Sequence, residues 1–127
     1  MAEYGAESLL ILVVDDNPDD LFLIRRDLLA LGHRVVGVST AREALDHLGR
    51  GRPDVLMTDV GLPGMDGIEL LRNIRARTDG SWIPTLVFTG SLDEATQMRA
   101  LEAGADSYLC KPASREMLHA KLGVILR

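Results

Sequence analysis

Six apolar residues in a row, Leu9-Leu-Ile-Leu-Val-Val14, run straight into two aspartates, Asp15 and Asp16. The run is too short to span a membrane and shows none of the alternation of a strand with one wet face. It reads as a parallel strand covered by helices on both sides. The rest of the chain repeats the signal: Val35 to Val38, Val55 to Thr58, Thr85 to Thr89 and Ser107 to Cys110 read as four more strands.

Amphipathic stretches separate them. Leu21, Ile24, Leu28 and Leu31 share one helical face, with Gly32 as a stop. Ala41, Ala44, Leu45 and Leu48 form a second face, opened by the capping box Thr40-Ala-Arg-Glu43. Ile68, Leu71 and Ile74 mark a third helix. Ser91-Leu-Asp-Glu94 opens a fourth, running from about Asp93 to Ala103 with Ala95, Met98 and Leu101 as its thin apolar face. Ser114 caps a fifth that carries Leu118, Leu122 and Ile125. Five βα units predict an α/β domain with an open, doubly wound parallel sheet.

The 127 residues suit one domain, with a core from about 9 to 126 and Met1 to Glu7 as a loose lead-in. The formal net charge of −5 speaks against a general nucleic-acid or membrane-surface binder, either of which needs a basic face. A single cysteine, Cys110, leaves no internal disulfide and fits a reducing cytoplasm, and no basic, apolar leader precedes the first strand.

The polar residues of interest stand at the carboxyl ends of strands: Asp15 and Asp16 after the first, Asp59 after the third, Thr89 closing the fourth, Lys111-Pro112 after the fifth. In an open α/β sheet those ends line the ligand crevice where strand order reverses. If the order is 2-1-3-4-5, the first and third strands are neighbours there, and three carboxylates share one pocket. Such anions repel one another unless a cation joins them, and a hard divalent ion with oxygen ligands, Mg²⁺ in particular, is the natural partner. No His or Cys cluster offers zinc a home. His33, His47 and His119 read as ordinary surface or boundary residues.

The strand-end residues, with Val13-Val-Asp-Asp-Asn17, Asp54-Val-Leu-Met-Thr-Asp59, Leu62-Pro-Gly-Met-Asp-Gly67 and Ala103-Gly-Ala-Asp106, carry a resemblance over nearly the whole chain. The sequence resembles the receiver domain of bacterial two-component response regulators, in a single-domain, flavodoxin-like form. The resemblance implies that Asp59 accepts a phosphoryl group from a histidine kinase or phosphotransfer protein. It implies that Asp16, Asp59 and the backbone carbonyl of Gly61 bind Mg²⁺, with Mn²⁺ as an alternative, and that Asp15 supports the ion through a water. Lys111 and Thr89 would hold the phosphoryl oxygens, Tyr108 would be the switch aromatic, and Lys111–Pro112 would be a cis peptide bond. The output face would be the fourth helix, fifth strand and fifth helix, meeting an output protein that the sequence does not name. The protein would be cytoplasmic, monomeric or dimeric on phosphorylation, without direct nucleic-acid or membrane contact.

Blander readings stand beside these. Asp19 and Asp20 look like helix-start residues, Met57, Met65, Met98 and Met117 like packing, and Gly64 and Gly67 like backbone permits for the turn after the third strand. Gly61 replaces a larger side chain often found there, Gly90 and Ser91 follow Thr89 where side chains modulate access, and Ala113 follows Lys-Pro where an aromatic is common. Among other functions, a haloacid-dehalogenase-like phosphatase needs a second Asp two residues after its nucleophile, where this chain has Gly61. A flavodoxin-like nucleotide binder needs a phosphate-cradling loop, where this chain has Asp15-Asp-Asn-Pro-Asp-Asp20. A receiver excised from a hybrid kinase or a larger regulator would look the same as a stand-alone one.

Overall fold

The computed structural model describes residues 8–77, 82–90 and 93–126. Strands β1 (Leu10–Val14), β2 (Arg34–Val38), β3 (Val55–Thr58), β4 (Thr85–Thr89) and β5 (Ser107–Cys110) form one parallel sheet in the order β2-β1-β3-β4-β5. Helices α1 (Pro18–Ala30), α2 (Ala41–Leu48), α3 (Gly67–Arg75), α4 (Glu94–Glu102) and α5 (Arg115–Ile125) follow the strands in turn. Met1 to Glu7 and Ser91 lie outside the described residues.

The continuous apolar run of β1 is explained by what lies on each side. Ile11 and Val13 pack with Ile24 and Leu28 of α1 and Leu118 and Leu122 of α5. Leu12 and Val14 face the opposite way, onto Ala41 and Ala44 of α2 and Leu70 and Ile74 of α3. Successive strand residues point to opposite faces, so a strand covered on both must be apolar throughout. Its central place is fixed by pairing on both sides: Val14 lies opposite Val38 of β2 and Thr58 of β3. Because α1 and α3 leave adjacent strands toward opposite faces, a crevice opens above the ends of β1 and β3.

Three expectations are corrected. Ala95, Met98 and Leu101 do not form the inner face of α4; Met98 is 53% and Leu101 48% exposed, and Ala100 is the buried residue. Ala100 and Ala103 pack with Ile68, Leu71 and Val87, so small side chains let the backbone of α4 approach its neighbours while the long ones point outward. Met117 is likewise exposed rather than a packing residue. His33 is neither surface nor boundary: it is 6% exposed, and its Nδ1 accepts the backbone N–H of Leu9 at 3.2 Å. Helix α4 is capped by Asp93, whose Oδ1 accepts the Thr96 N–H at 2.7 Å.

Candidate functional site

Asp59 sits one residue past β3, and its position is set by backbone bonds on the β1 side, where its N–H donates to the Val14 carbonyl at 3.0 Å. Its Oδ1 accepts the Val60 N–H at 2.7 Å and its Oδ2 accepts Lys111 Nζ at 3.0 Å. Asp15 is fixed in the same way, its N–H donating to Val38 at 3.0 Å. Its Oδ1 accepts the Asn17 N–H at 3.0 Å and its Oδ2 accepts Lys111 Nζ at 2.5 Å. Carboxylate oxygens of Asp15, Asp16 and Asp59 lie within 4.8 Å of one another. Lys111 arrives from the far side of the sheet: its N–H donates to the Thr89 carbonyl at 2.9 Å, and its peptide bond to Pro112 is cis.

The electrostatics follow from this crowding. Burial pushes Asp59 up, but hydrogen bonds from Lys111 and the Thr89 hydroxyl, and the charge of Lys111, outweigh it and hold its carboxyl below the usual range. For Asp15 burial wins: the carboxyl is raised despite bonds from Lys111 and Asn17. Burial opposes charge on Lys111 too, yet hydrogen bonds to Asp15, Asp59 and Asp20 raise it well above the ordinary lysine range. Asp59 and Lys111 are therefore an ionised pair at neutral pH, and the site keeps a surplus of negative charge.

A cleft of about 690 Å³ opens over these groups, with Asp59, Gly61, Thr89 and Lys111 among its walls and Leu23 and Leu118 extending it over α1 and α5. Asp15, Asp16, Asp59, Thr89, Lys111 and Gly61 are thus brought to one end of the sheet. Tyr108 is not with them. It lies half-buried on β5 beside the cluster of Ile68, Leu71, Val87 and Ala100, with the Lys121 ammonium 5.6 Å from its ring centroid.

One residue was missed by the sequence reading. Asp20, in the first turn of α1, is a third carboxylate on Lys111, with Oδ2 at 3.1 Å from Nζ. Asn17 accounts for the placement: as N-cap it accepts the N–H groups of Asp19 at 2.9 Å and Asp20 at 3.0 Å, winding the first turn back over the crevice. The available signal was the spacing of Asp16 and Asp20 across a strand-to-helix turn.

An all-oxygen cluster beside an ammonium, at the carboxyl ends of a doubly wound sheet, defines a class: α/β domains with an acidic crevice suited to a hard cation. The chain belongs to the response regulator receiver domain family, whose model matches residues 11–123. It is similar to the transcriptional regulatory protein KdpE of Mycobacterium tuberculosis, 36% identical over 120 residues that make up 93% of this chain and 51% of that protein. The chain therefore spans about half the length of the curated relatives it matches. Among solved structures it resembles a putative response regulator from Chloroflexus aurantiacus (TM-score 0.89, 31% identity, 94% of this chain and 98% of that one). It also resembles the receiver domain of a sensor histidine kinase of Pseudomonas aeruginosa (TM-score 0.86, 33% identity, 95% and 100% covered), crystallised with a magnesium ion coordinated in its active-site cleft.

The protein is a signalling domain of the two-component type rather than a metabolic enzyme. Among the described residues no helix is long and apolar enough to cross a membrane. The expectation of no nucleic-acid contact rests on net charge alone and draws no support from a relative that is a transcriptional regulatory protein.

Proposed function

We propose that Asp59 is the phosphoacceptor of a two-component relay. One Asp59 carboxylate oxygen attacks the phosphorus of a kinase's phosphohistidine. A P–O bond forms, the P–N bond breaks, and the imidazole leaves with the electron pair and takes up a proton. The observation that carries this reading is the Lys111 ammonium 3.0 Å from Asp59 Oδ2, within a cluster of three carboxylates. Lys111 keeps Asp59 ionised, hence nucleophilic, and stands ready to offset charge on the phosphoryl oxygens. Thr89, 4% exposed at the end of β4, is in hydrogen-bond reach of Asp59 and would donate to the finished group.

The donor set fits a hard divalent cation: oxygens alone, close together, with excess negative charge. Asp16, Asp59 and the Gly61 carbonyl would hold Mg²⁺ or Mn²⁺, with Asp15 supporting it through water. When bound, the ion supplies charge neutralisation at the transferring phosphoryl group. The magnesium in the Pseudomonas aeruginosa receiver domain supports the same choice here. The output face would be α4, β5 and α5, engaging an output protein or an attached segment, with a histidine kinase or phosphotransfer protein as donor.

Incubation with acetyl phosphate and Mg²⁺ tests this by intact-protein mass. One phosphoryl group is expected on the parent and none on Asp59→Asn; equal labelling of the variant would overturn the assignment.

A further inference from the structure

We infer that Asp20 is a positioning residue for Lys111 that competes with the phosphoryl group for the same ammonium, so that it weakens the phosphorylated state. This rests on Asp59 being the phosphoacceptor.

An ammonium has three N–H donors. In this structure each has a carboxylate: Asp15 at 2.5 Å, Asp59 at 3.0 Å and Asp20 at 3.1 Å. Nothing is left over for a new acceptor. A phosphoryl group on Asp59 brings oxygens that need Lys111, so one of the present carboxylates must give up the hydrogen bond it accepts from the ammonium.

Burial decides which one. The Asp15 side chain is 2% exposed and fixed by its own backbone bonds, and losing Lys111 would strand it as a buried charge. Asp59 is the group being modified. The Asp20 side chain is 38% exposed, on the first turn of a helix, and water can replace its partner. Asp20 is therefore the releasable contact, and the phosphorylated state forms at its expense. Once released, its charge still faces an anionic phosphoryl group across the cleft that both line. Competition and repulsion act in the same direction.

The position follows from local sequence. Asn17 caps α1 and Pro18 starts it, which brings the third helical residue, Asp20, over Lys111, while Asp19 stays exposed. The Lys111 ammonium is also confined from below, 5.5 Å from the Phe88 ring centroid, so it meets Asp20 without swinging out of the cleft.

The test is a titration of the full chain with beryllium fluoride in the presence of Mg²⁺, followed by ¹⁹F NMR. Beryllium fluoride occupies the phosphoryl position on an aspartate without a leaving group. Asp20→Asn is expected to tighten its binding roughly threefold to fivefold, the range for loss of one half-exposed ion pair. Asp20→Glu, which restores the charge, should return the affinity toward that of the parent, and the gap between Asn variant and parent should narrow at high salt. A purely structural role would not give this charge-dependent rescue. Unchanged or weaker binding by Asp20→Asn, with the parent binding normally, would overturn the competition. Failure of the parent to bind would remove the phosphoacceptor reading itself, and the competition with it.

Discussion

Gly67 presses its Cα against the backbone of Asp59 so closely that a Cβ there would stand 2.0 Å from the Asp59 carbonyl oxygen. The Gly67 N–H also donates to the Val60 carbonyl at 2.9 Å, so the start of α3 is stitched to the segment that carries Asp59. The obstacle is backbone on both sides and cannot turn aside. Gly67→Ala is expected to destabilise the fold by about 2 kcal/mol, in the range for overpacking, and to slow labelling of Asp59 by acetyl phosphate. Urea unfolding and the labelling rate check the two effects; a variant matching the parent in both would show that α3 can shift freely without moving Asp59.

Divalent metal is expected to stabilise the protein, because the site carries Asp15, Asp16, Asp20 and Asp59 against the single ammonium of Lys111. At a Mg²⁺ concentration ten times the dissociation constant, binding to the folded state adds about 1.4 kcal/mol. Asp16→Asn should reduce the metal-dependent rise in Tm, and should leave the metal-free protein as stable as the parent or more so, since one like charge has gone. Thermal melts with Mg²⁺ and with EDTA give the answer. Equal melting temperatures for the parent in both would count against a shared carboxylate site.

Acid sensitivity above the carboxylate range should trace to His33. Burial, and then the neighbouring His119, hold its imidazole below the usual range, while Nδ1 must stay unprotonated to accept the Leu9 N–H. The unfolded chain takes up this proton near pH 6.5, and the folded chain only at lower pH. Between those values the unfolded state binds more protons, so stability is full above about pH 6.5 and falls as the pH drops toward the folded value. His33→Gln should flatten that part of the profile. Urea midpoints from about pH 5 to 7.5 for parent and variant measure it; parallel profiles would exclude His33 as the cause.

The sheet and the crevice were legible because their signals are local. A run such as Leu9 to Val14 ending in acid encodes strand, burial and site together, and β3, β4 and β5 have the limits read from the sequence. The failures share a cause, which is dependence on what lies across a gap. Ala100 carries too little hydrophobicity to outvote Met98 and Leu101, although it is the residue that fits against Val87. Asp20 looks like any acidic residue in a first helical turn until Lys111, far along the chain, is brought over it. Arg75 shows the same limit. It donates to the carbonyls of Gly104 at 2.9 Å and Ile83 at 2.8 Å and to Asp106 at 3.1 Å, and it stacks 3.5 Å from the Trp82 ring centroid. It ties α3 to the segments before β4 and β5, yet in the sequence it is one more arginine on a helix.

Thr89 ends β4 in reach of Asp59, and the segment after it leads into α4. Helix α4 buries one residue of its own, Ala100, whereas α3 buries five, so α4 is the element held by the least apolar contact and the cheapest to displace. Its carboxyl-terminal end is tethered by Arg75, which grips the Gly104 carbonyl immediately beyond it. A pull on Thr89 therefore reaches the amino-terminal end of α4 first, with the Arg75 contact at the other end as a pivot. Tyr108 packs against the cluster that holds Ala100 and is only half-buried, with Lys121 over its ring, so it is placed to follow a shift of α4. Beryllium fluoride with Mg²⁺ is expected to shift backbone NMR signals of α4 most at its amino-terminal end, to move the Tyr108 ring inward, and to leave Arg75 and Gly104 nearly unchanged. Asp59→Asn should abolish these shifts, and Tyr108→Ala should reduce those in α4 while Asp59 is still labelled. Shifts confined to the loops that carry Asp15, Asp59 and Lys111 would show that the switch stops at the crevice.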